Sequence, residues 1–222
     1  MEQFANPHIL AIRQKIVEIG REILAGSLTV GTWGNISSRV PGTDYFAITP
    51  SGMDYKTLEP GDVVIVDLRG NQAAGLRRPS IEVPLHLALY EAREDVRSIV
   101  HTHSPYATAM AAARKEIPGV VEDLVQIVGG GVRVSEYALP GTRQLGMNTV
   151  RALAGRNAAL LANHGMLGVG GDLDEALRVC QVVEKAAQIV LLAQLVGGAV
   201  PLSREDINSM RDFYLKGYGQ DG

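Results

Sequence analysis

Apolar residues near the start of the chain recur at helical spacing. Ile9, Ile12, Ile16, Ile19 and Ile23 form the stripe, Leu10, Val17 and Leu24 widen it, and Gly26 is available to end it. The pattern predicts an amphipathic helix over 9–24 packed on a core. The period then shortens. Extended segments around 29–40, 45–49 and 63–67 are punctuated by Gly31, Gly34, Pro41-Gly42, Pro50, Gly52 and Pro60-Gly61, as antiparallel strands and their turns are. A short helix is expected over 83–92, a buried strand over 96–103, a helix over 105–114, and irregular chain over 117–131. Thr142 can cap a helix running to Ala154. Residues 158–162 form another buried strand, which ends at Asn163-His164-Gly165, and 166–169 continue extended. After a turn at Gly170-Gly171, Asp172 or Asp174 caps a long helix through about Val196. A shorter helix and a tail holding Tyr214 and Tyr218 finish the chain.

Composition bounds this outline. At 222 residues, with no internal repeat and no low-complexity linker, the chain fits one domain over 1–222 with a sizeable core. Hydrophobic residues at 46%, only 5% aromatic, and 25 glycines describe a compact, aliphatic, loop-rich α/β protein. A net charge of -3 without a basic run leaves no electrostatic footprint for nucleic acid or an acidic membrane surface. The longest uncharged run, 186–203, is broken by Gln188, Gln194, Gly197-Gly198 and Pro201, so no membrane span is expected. The single cysteine, Cys180, cannot form an internal disulfide, and the N-terminal residues lack the layout of a signal peptide. Both point to the cytoplasm.

The chemistry lies where apolar strands end. In Ser98-Ile99-Val100-His101-Thr102-His103 the two histidines stand at i and i+2, and strand side chains alternate, so both imidazoles share a face. Taken alone, the pair is either a metal clamp or two histidines satisfied by neighbours. His164 ends a second apolar strand about sixty residues later, and three nitrogen ligands with an open fourth position make a catalytic zinc site. His86, inside a helix, and His8, in the N-terminal tail, are assigned structural or surface roles. A metal that acidifies a substrate proton still needs a base to take it. Glu82 is the candidate, between apolar Ile81 and Val83, although a glutamate at a helix N-terminus is also what the macrodipole favours. Gly34-Asn35-Ile36-Ser37 and Thr49-Pro50-Ser51-Gly52 are turns with donors suited to a phosphate, joined by Ser80; such clusters also mark plain turns.

These stretches, with Pro79-Ser80-Ile81-Glu82 and in the same order, resemble the class II aldolase/adducin family over most of the chain. The resemblance implies a three-layer αβα fold with a central, mainly antiparallel sheet, in C4 homotetramers with active sites between subunits. It implies zinc on His101, His103 and His164, with manganese or cobalt as ions that three imidazoles also accept. Glu82 becomes the acid/base, and a ligand when no substrate is bound. Asn35, Ser51, Gly52, Ser80 and Ile81 fall on the phosphate-binding positions, and Tyr218 on a C-terminal tyrosine that closes over the site. The implied reaction is aldol cleavage of a ketose 1-phosphate to dihydroxyacetone phosphate and an aldehyde. Its substrate would be L-fuculose 1-phosphate or a 5-deoxypentulose or methylthioribulose 1-phosphate. Two departures stand out. Ile81 replaces a second serine of the phosphate loop, leaving its backbone N–H, and Val121-Glu122-Asp123-Leu124 stands where the family carries a mid-chain tyrosine. Other readings of the same site are a pentulose-phosphate 4-epimerase, a methylthioribulose-1-phosphate dehydratase, and a non-enzymatic adducin-like scaffold. Glu82 opposes the epimerase, whose members carry aspartate there; His86 keeps it open, because they also carry a further histidine in that helix.

Overall fold

The structure, a computed structural model, describes residues 7–217. Its elements, in order, are α1 (Pro7–Ala25), β1 (Asn35–Arg39), β2 (Tyr45–Ile48), β3 (Val64–Asp67), β4 (Gln72–Ala74), α2 (Val83–Ala92), β5 (Ser98–Thr102), α3 (Pro105–Ala112), α4 (Glu122–Val128), β6 (Arg133–Ser135), α5 (Arg143–Leu153), β7 (Ala158–Leu161), β8 (Gly165–Gly170), α6 (Leu173–Ala193) and α7 (Arg204–Gly217). The strands form one sheet in the order β4-β3-β2-β1-β5-β8-β7-β6. Every pairing among the described residues is antiparallel except β6 with β7.

The inner strands are apolar on both faces because both faces are covered. Ile36, Ala47, Ile65, Val100, Leu160 and Met166 point into a core shared with α1, α3, α4 and α6. Their neighbours Phe46, Ile48, Val66, Ile99, Leu161 and Leu167 point into the opposite core, shared with α2 and α5. Alternation along each strand therefore yields three layers, αβα, as the resemblance implies. By length and composition alone 173–196 would suit a membrane. Its Ala176, Val179, Cys180, Val183 and Ala187 are buried in the first core, with α6 packed along β5 and β8.

The structure departs from the sequence reading at several local points. Of 29–40 only Asn35–Arg39 is strand; Gly31 and Gly34 take left-handed conformations at φ 63 and 81 and turn the chain before it. The stretch 117–131 contains α4, with Glu122 and Asp123 in its first turn and left-handed Gly129 after its last, both favourable helix ends. The three-residue strands β4 and β6 were too short to carry a period. Thr142 caps α5 as expected, accepting from the Leu145 N–H at 3.3 Å. Asp172, not Asp174, caps α6, accepting from the Glu175 N–H at 2.7 Å. That helix ends at Ala193 in a single 3-10 turn, Gln194–Val196. Tyr214 belongs to α7, while Tyr218 lies outside the described residues.

One contact sets the depth at which α6 seats on the sheet. A Cβ at Gly168 would stand 2.8 Å from Cys180 Sγ and 2.9 Å from the Ala176 carbonyl oxygen. The Gly168→Ala variant should lose about 1–3 kcal/mol to overpacking, read as a lower denaturation midpoint with an unchanged m-value. An unshifted midpoint would contradict this packing.

Candidate active site

Antiparallel pairing carries the polar ends of the central strands to one edge of the sheet. Asn35, the first residue of β1, pairs with His101 of β5, and Thr102 pairs with Met166 near the start of β8. A tight connection joins β7 to β8, with Asn163 left-handed at φ 56 and His164 next to it. The Asn163 backbone N–H donates to the Ala111 carbonyl at 3.2 Å, and Arg114 Nε donates to Asn163 Oδ1 at 3.0 Å, so this turn is pinned to α3. Gly34 lets the chain pass His101 closely: a Cβ there would stand 2.4 Å from the His101 carbonyl oxygen.

His101, His103 and His164 converge with their ligand nitrogens within 4.8 Å of one another. His101 Nε2 lies 3.1 Å from His103 Nε2 and 3.3 Å from His164 Nε2. Glu82 closes the fourth side, with Oε2 at 3.3 Å from His101 Nε2 and Oε1 at 3.6 Å from His164 Nε2. His101 Nδ1 donates to the Met166 carbonyl at 2.8 Å, so the neutral ring turns the lone pair of Nε2 toward the others. Burial, then the neighbouring His164, pushes the His101 pKa down to about 3. His103 is likewise held at about 3, by burial and then by His101 and His164. His164 is lowered by burial, against a smaller opposing effect of Glu82.

The rings are thus neutral ligands at neutral pH. Glu82 Oε1 is buried without a hydrogen-bond partner among the described residues. Lone pairs and a carboxylate facing one another this closely repel unless a cation lies between them. Nitrogens about 2.1 Å from one tetrahedral ion stand about 3.4 Å apart, close to the separations here. The residues fit a divalent metal.

The phosphate candidates line the same hollow. A pocket of about 290 Å³ is walled by Asn35, Ser51, Gly52, Ser80 and Ile81 together with Glu82, His103 and His164. Two backbone bonds draw the turns together: the Ser51 N–H donates to the Arg78 carbonyl at 3.0 Å, and the Ser80 N–H to the Thr49 carbonyl at 3.1 Å. Ser80 Oγ accepts from the Glu82 N–H at 3.2 Å and so ties the phosphate loop to the carboxylate. Of the sequence-predicted site residues within 7–217, all but His101 line this pocket; His101 is fully buried and meets it through His103 and His164.

Two further residues were missed, and a third, His86, was named without its link to the site. Trp33, the only tryptophan, is largely exposed and stacks on His103 with centroids 5.7 Å apart; its position beside Gly34-Asn35 was the available signal. Pro140 enters the pocket from the loop before α5, on which no motif falls. His86 is fully buried and reaches Glu82 through Asn35; its spacing of four from Glu82 was the clue.

Residues 14–191 match the family described as Class II Aldolase and Adducin N-terminal domain. The chain belongs to the class II aldolase and adducin family. Among the relatives of this class II aldolase is the 5-deoxy-D-ribulose 1-phosphate aldolase of Bacillus thuringiensis serovar kurstaki. It is 37% identical over 208 residues, covering 94% of this chain and 97% of that protein. The 5-methylthioribulose-1-phosphate/5-deoxyribulose-1-phosphate aldolase of Rhodospirillum rubrum is 35% identical over 81% of this chain and 80% of its own. A solved L-fuculose 1-phosphate aldolase superposes with a TM-score of 0.90 at 36% identity, over 92% of this chain and 96% of that one.

The buried rings also set a pH dependence. Unfolded histidines take up protons near 6.5, whereas folded His86 and His101 stay neutral down to about 3. Between those values the unfolded state binds more protons, so stability is full above 6.5 and falls as pH drops toward 3. In chelator-treated protein the denaturant midpoint should decline from pH 7 to pH 5; a flat or rising midpoint would contradict the buried, neutral rings.

Proposed function

We propose that this class II aldolase is a zinc enzyme that cleaves a ketose 1-phosphate to dihydroxyacetone phosphate and an aldehyde. One observation carries the reading: a cluster of three imidazoles and a buried carboxylate borders the same pocket as a set of phosphate donors. His101, His103 and His164 would hold the ion, which supplies Lewis acidity for the carbonyl and hydroxyl oxygens next to the bond that breaks. Asn35, the hydroxyls of Ser51 and Ser80, and the backbone N–H groups of Gly52 and Ile81 hold the phosphate and so fix the sugar's direction in the pocket. When the carbon–carbon bond breaks, the neighbouring hydroxyl gives up its proton to the Glu82 carboxylate as it becomes the aldehyde carbonyl. The bond's electron pair stays on the phosphate-bearing fragment, and Glu82 then delivers the proton to that carbon. In the condensation direction the same carboxylate removes it. Oε1 is the oxygen for this work, since Oε2 is already held by Asn35.

The pocket wall supports a short, apolar aldehyde end. Trp33 is 64% exposed beside it, against His103, a surface that suits a methyl or methylthio terminus better than a hydroxylated one. The names of the relatives, which act on 5-deoxyribulose, 5-methylthioribulose and L-fuculose phosphates, support the same class. The 4-epimerase reading loses its support, because His86 stands behind Asn35 and not in the pocket wall. A homotetramer is our proposal for the assembly: Leu195, Val196 and Val200 are exposed beyond α6, an apolar surface for a second copy to cover. A reducing cytoplasmic setting is proposed from the lone, buried Cys180.

A coupled assay for dihydroxyacetone phosphate over 5-deoxyribulose, 5-methylthioribulose and L-fuculose 1-phosphates tests the reaction. Metal-loaded protein should cleave at least the first, and chelation should abolish turnover. Glu82→Gln should lower kcat by about 10²- to 10⁴-fold while the ion is retained. Cleavage of none of the three would remove the proposal.

A further inference from the structure

Glu82 ends a chain of buried hydrogen bonds that runs away from the pocket into the core beneath α2. Asn35 Nδ2 donates to Glu82 Oε2 at 2.7 Å. The other side of that amide, Oδ1, faces His86 Nε2 at 2.5 Å. His86 Nδ1 lies 2.6 Å from Ser37 Oγ, and Ser37 Oγ lies 2.7 Å from the Tyr90 hydroxyl. All five residues are buried.

With Glu82 a carboxylate and the buried His86 ring neutral, only one assignment of protons satisfies this series; a doubly protonated ring would reverse the bonds beyond it, with Tyr90 donating to the Arg97 carbonyl at 3.5 Å. The carboxylate accepts, so Asn35 must turn its NH₂ toward it and its carbonyl toward His86. That carbonyl accepts, so His86 carries its proton on Nε2 and a lone pair on Nδ1. Ser37 must then donate to Nδ1, and its oxygen accepts from Tyr90. Burial favours the neutral ring, pushing the His86 pKa down to about 3.

The elements explain how the series is held. Asn35 and Ser37 are alternate residues of β1 and so share one face. His86 and Tyr90 stand four apart on α2, whose capping residue is Glu82 itself. Strand and helix thus present matching polar rows inside an otherwise apolar layer. Tyr90 is fixed further by Phe46 at 5.3 Å and by the Arg39 guanidinium 4.6 Å above its ring.

We infer that His86 is a positioning residue: its Nε2–H, locked by Ser37 and Tyr90, fixes the Asn35 amide so that one N–H holds Glu82 and the other is left for the substrate phosphate. Without that lock the amide can turn its oxygen on the carboxylate, and two acceptors then repel. Phosphate binding and proton transfer would share one amide, and a substrate lacking the phosphate would meet a less well placed Glu82. This rests on the proton-carrying role of Glu82 proposed above.

The test uses metal-loaded protein and two readouts. The first is exchange of the carbon-bound proton of dihydroxyacetone phosphate with solvent deuterium, measured without aldehyde, beside kcat for cleavage. His86→Leu should lower both by about 10- to 100-fold per bound metal, and His86→Gln, which keeps a donor near Nε2, should recover much of the loss. Ser37→Ala, which leaves the ring in place, should lower both by up to about tenfold. Equal exchange in wild type, Ser37→Ala and His86→Leu would overturn the inference, since a merely structural role changes the amount of folded protein and not its rate.

The second readout does not depend on any reaction. Nitrogen NMR of histidine-labelled wild type should show His86 as the Nε2–H tautomer; the opposite tautomer or an imidazolium would overturn the inference whatever the protein cleaves. The expected tautomer in a protein that neither cleaves nor exchanges would overturn the proposed reaction, and with it any catalytic use of the chain, while confirming the direction of its bonds.

Discussion

Three imidazole lone pairs and a carboxylate are forced together where water is scarce, and the rest of the molecule is built to make that tolerable. Unpaired, such groups cost several kcal/mol of desolvation and repulsion. Each has a restraint behind it: Met166 behind His101, Trp33 against His103, the turn pinned to α3 behind His164, and Asn35 behind Glu82. For His101 the restraint fixes ring orientation and tautomer, and the others hold their groups in place, so that a divalent cation meets ligands already aimed at it.

The sheet makes this placement possible. Neighbouring strands run in opposite directions, so the start of β1, the end of β5 and the start of β8 meet at one edge although they are far apart in sequence. Because both faces of β5 are buried, hydrophobicity alone does not decide which way its residues point; a shift of one position would still bury apolar side chains. The polar residues decide. Asn35 opposite His101, and Ser98 bonded to Ser38 at 3.0 Å, favour the register in which the polar residues of the two strands meet one another.

Much of this was legible in the chain. The histidine pair announces itself because strand periodicity puts i and i+2 on one side, and the third histidine because it too ends an apolar run. Helices α1, α2, α5 and α6 follow from spacing and capping. Elements decided by tertiary contact were not legible: β4 and β6 are each three residues long and exist only because neighbours pair with them. The seven-residue α4 was hidden by the glycines and Pro118 around it. His86 was placed on the right helix, but its link to the site runs through an asparagine 51 positions away, and no local pattern encodes that.

The central claim is that one divalent ion binds where these groups meet, and diffraction recorded across a metal absorption edge reads it directly. A crystal grown with zinc should show one anomalous peak about 2.0–2.1 Å from Nε2 of His101, His103 and His164 together. A peak elsewhere, or none while the three rings hydrogen-bond one another, would contradict the account.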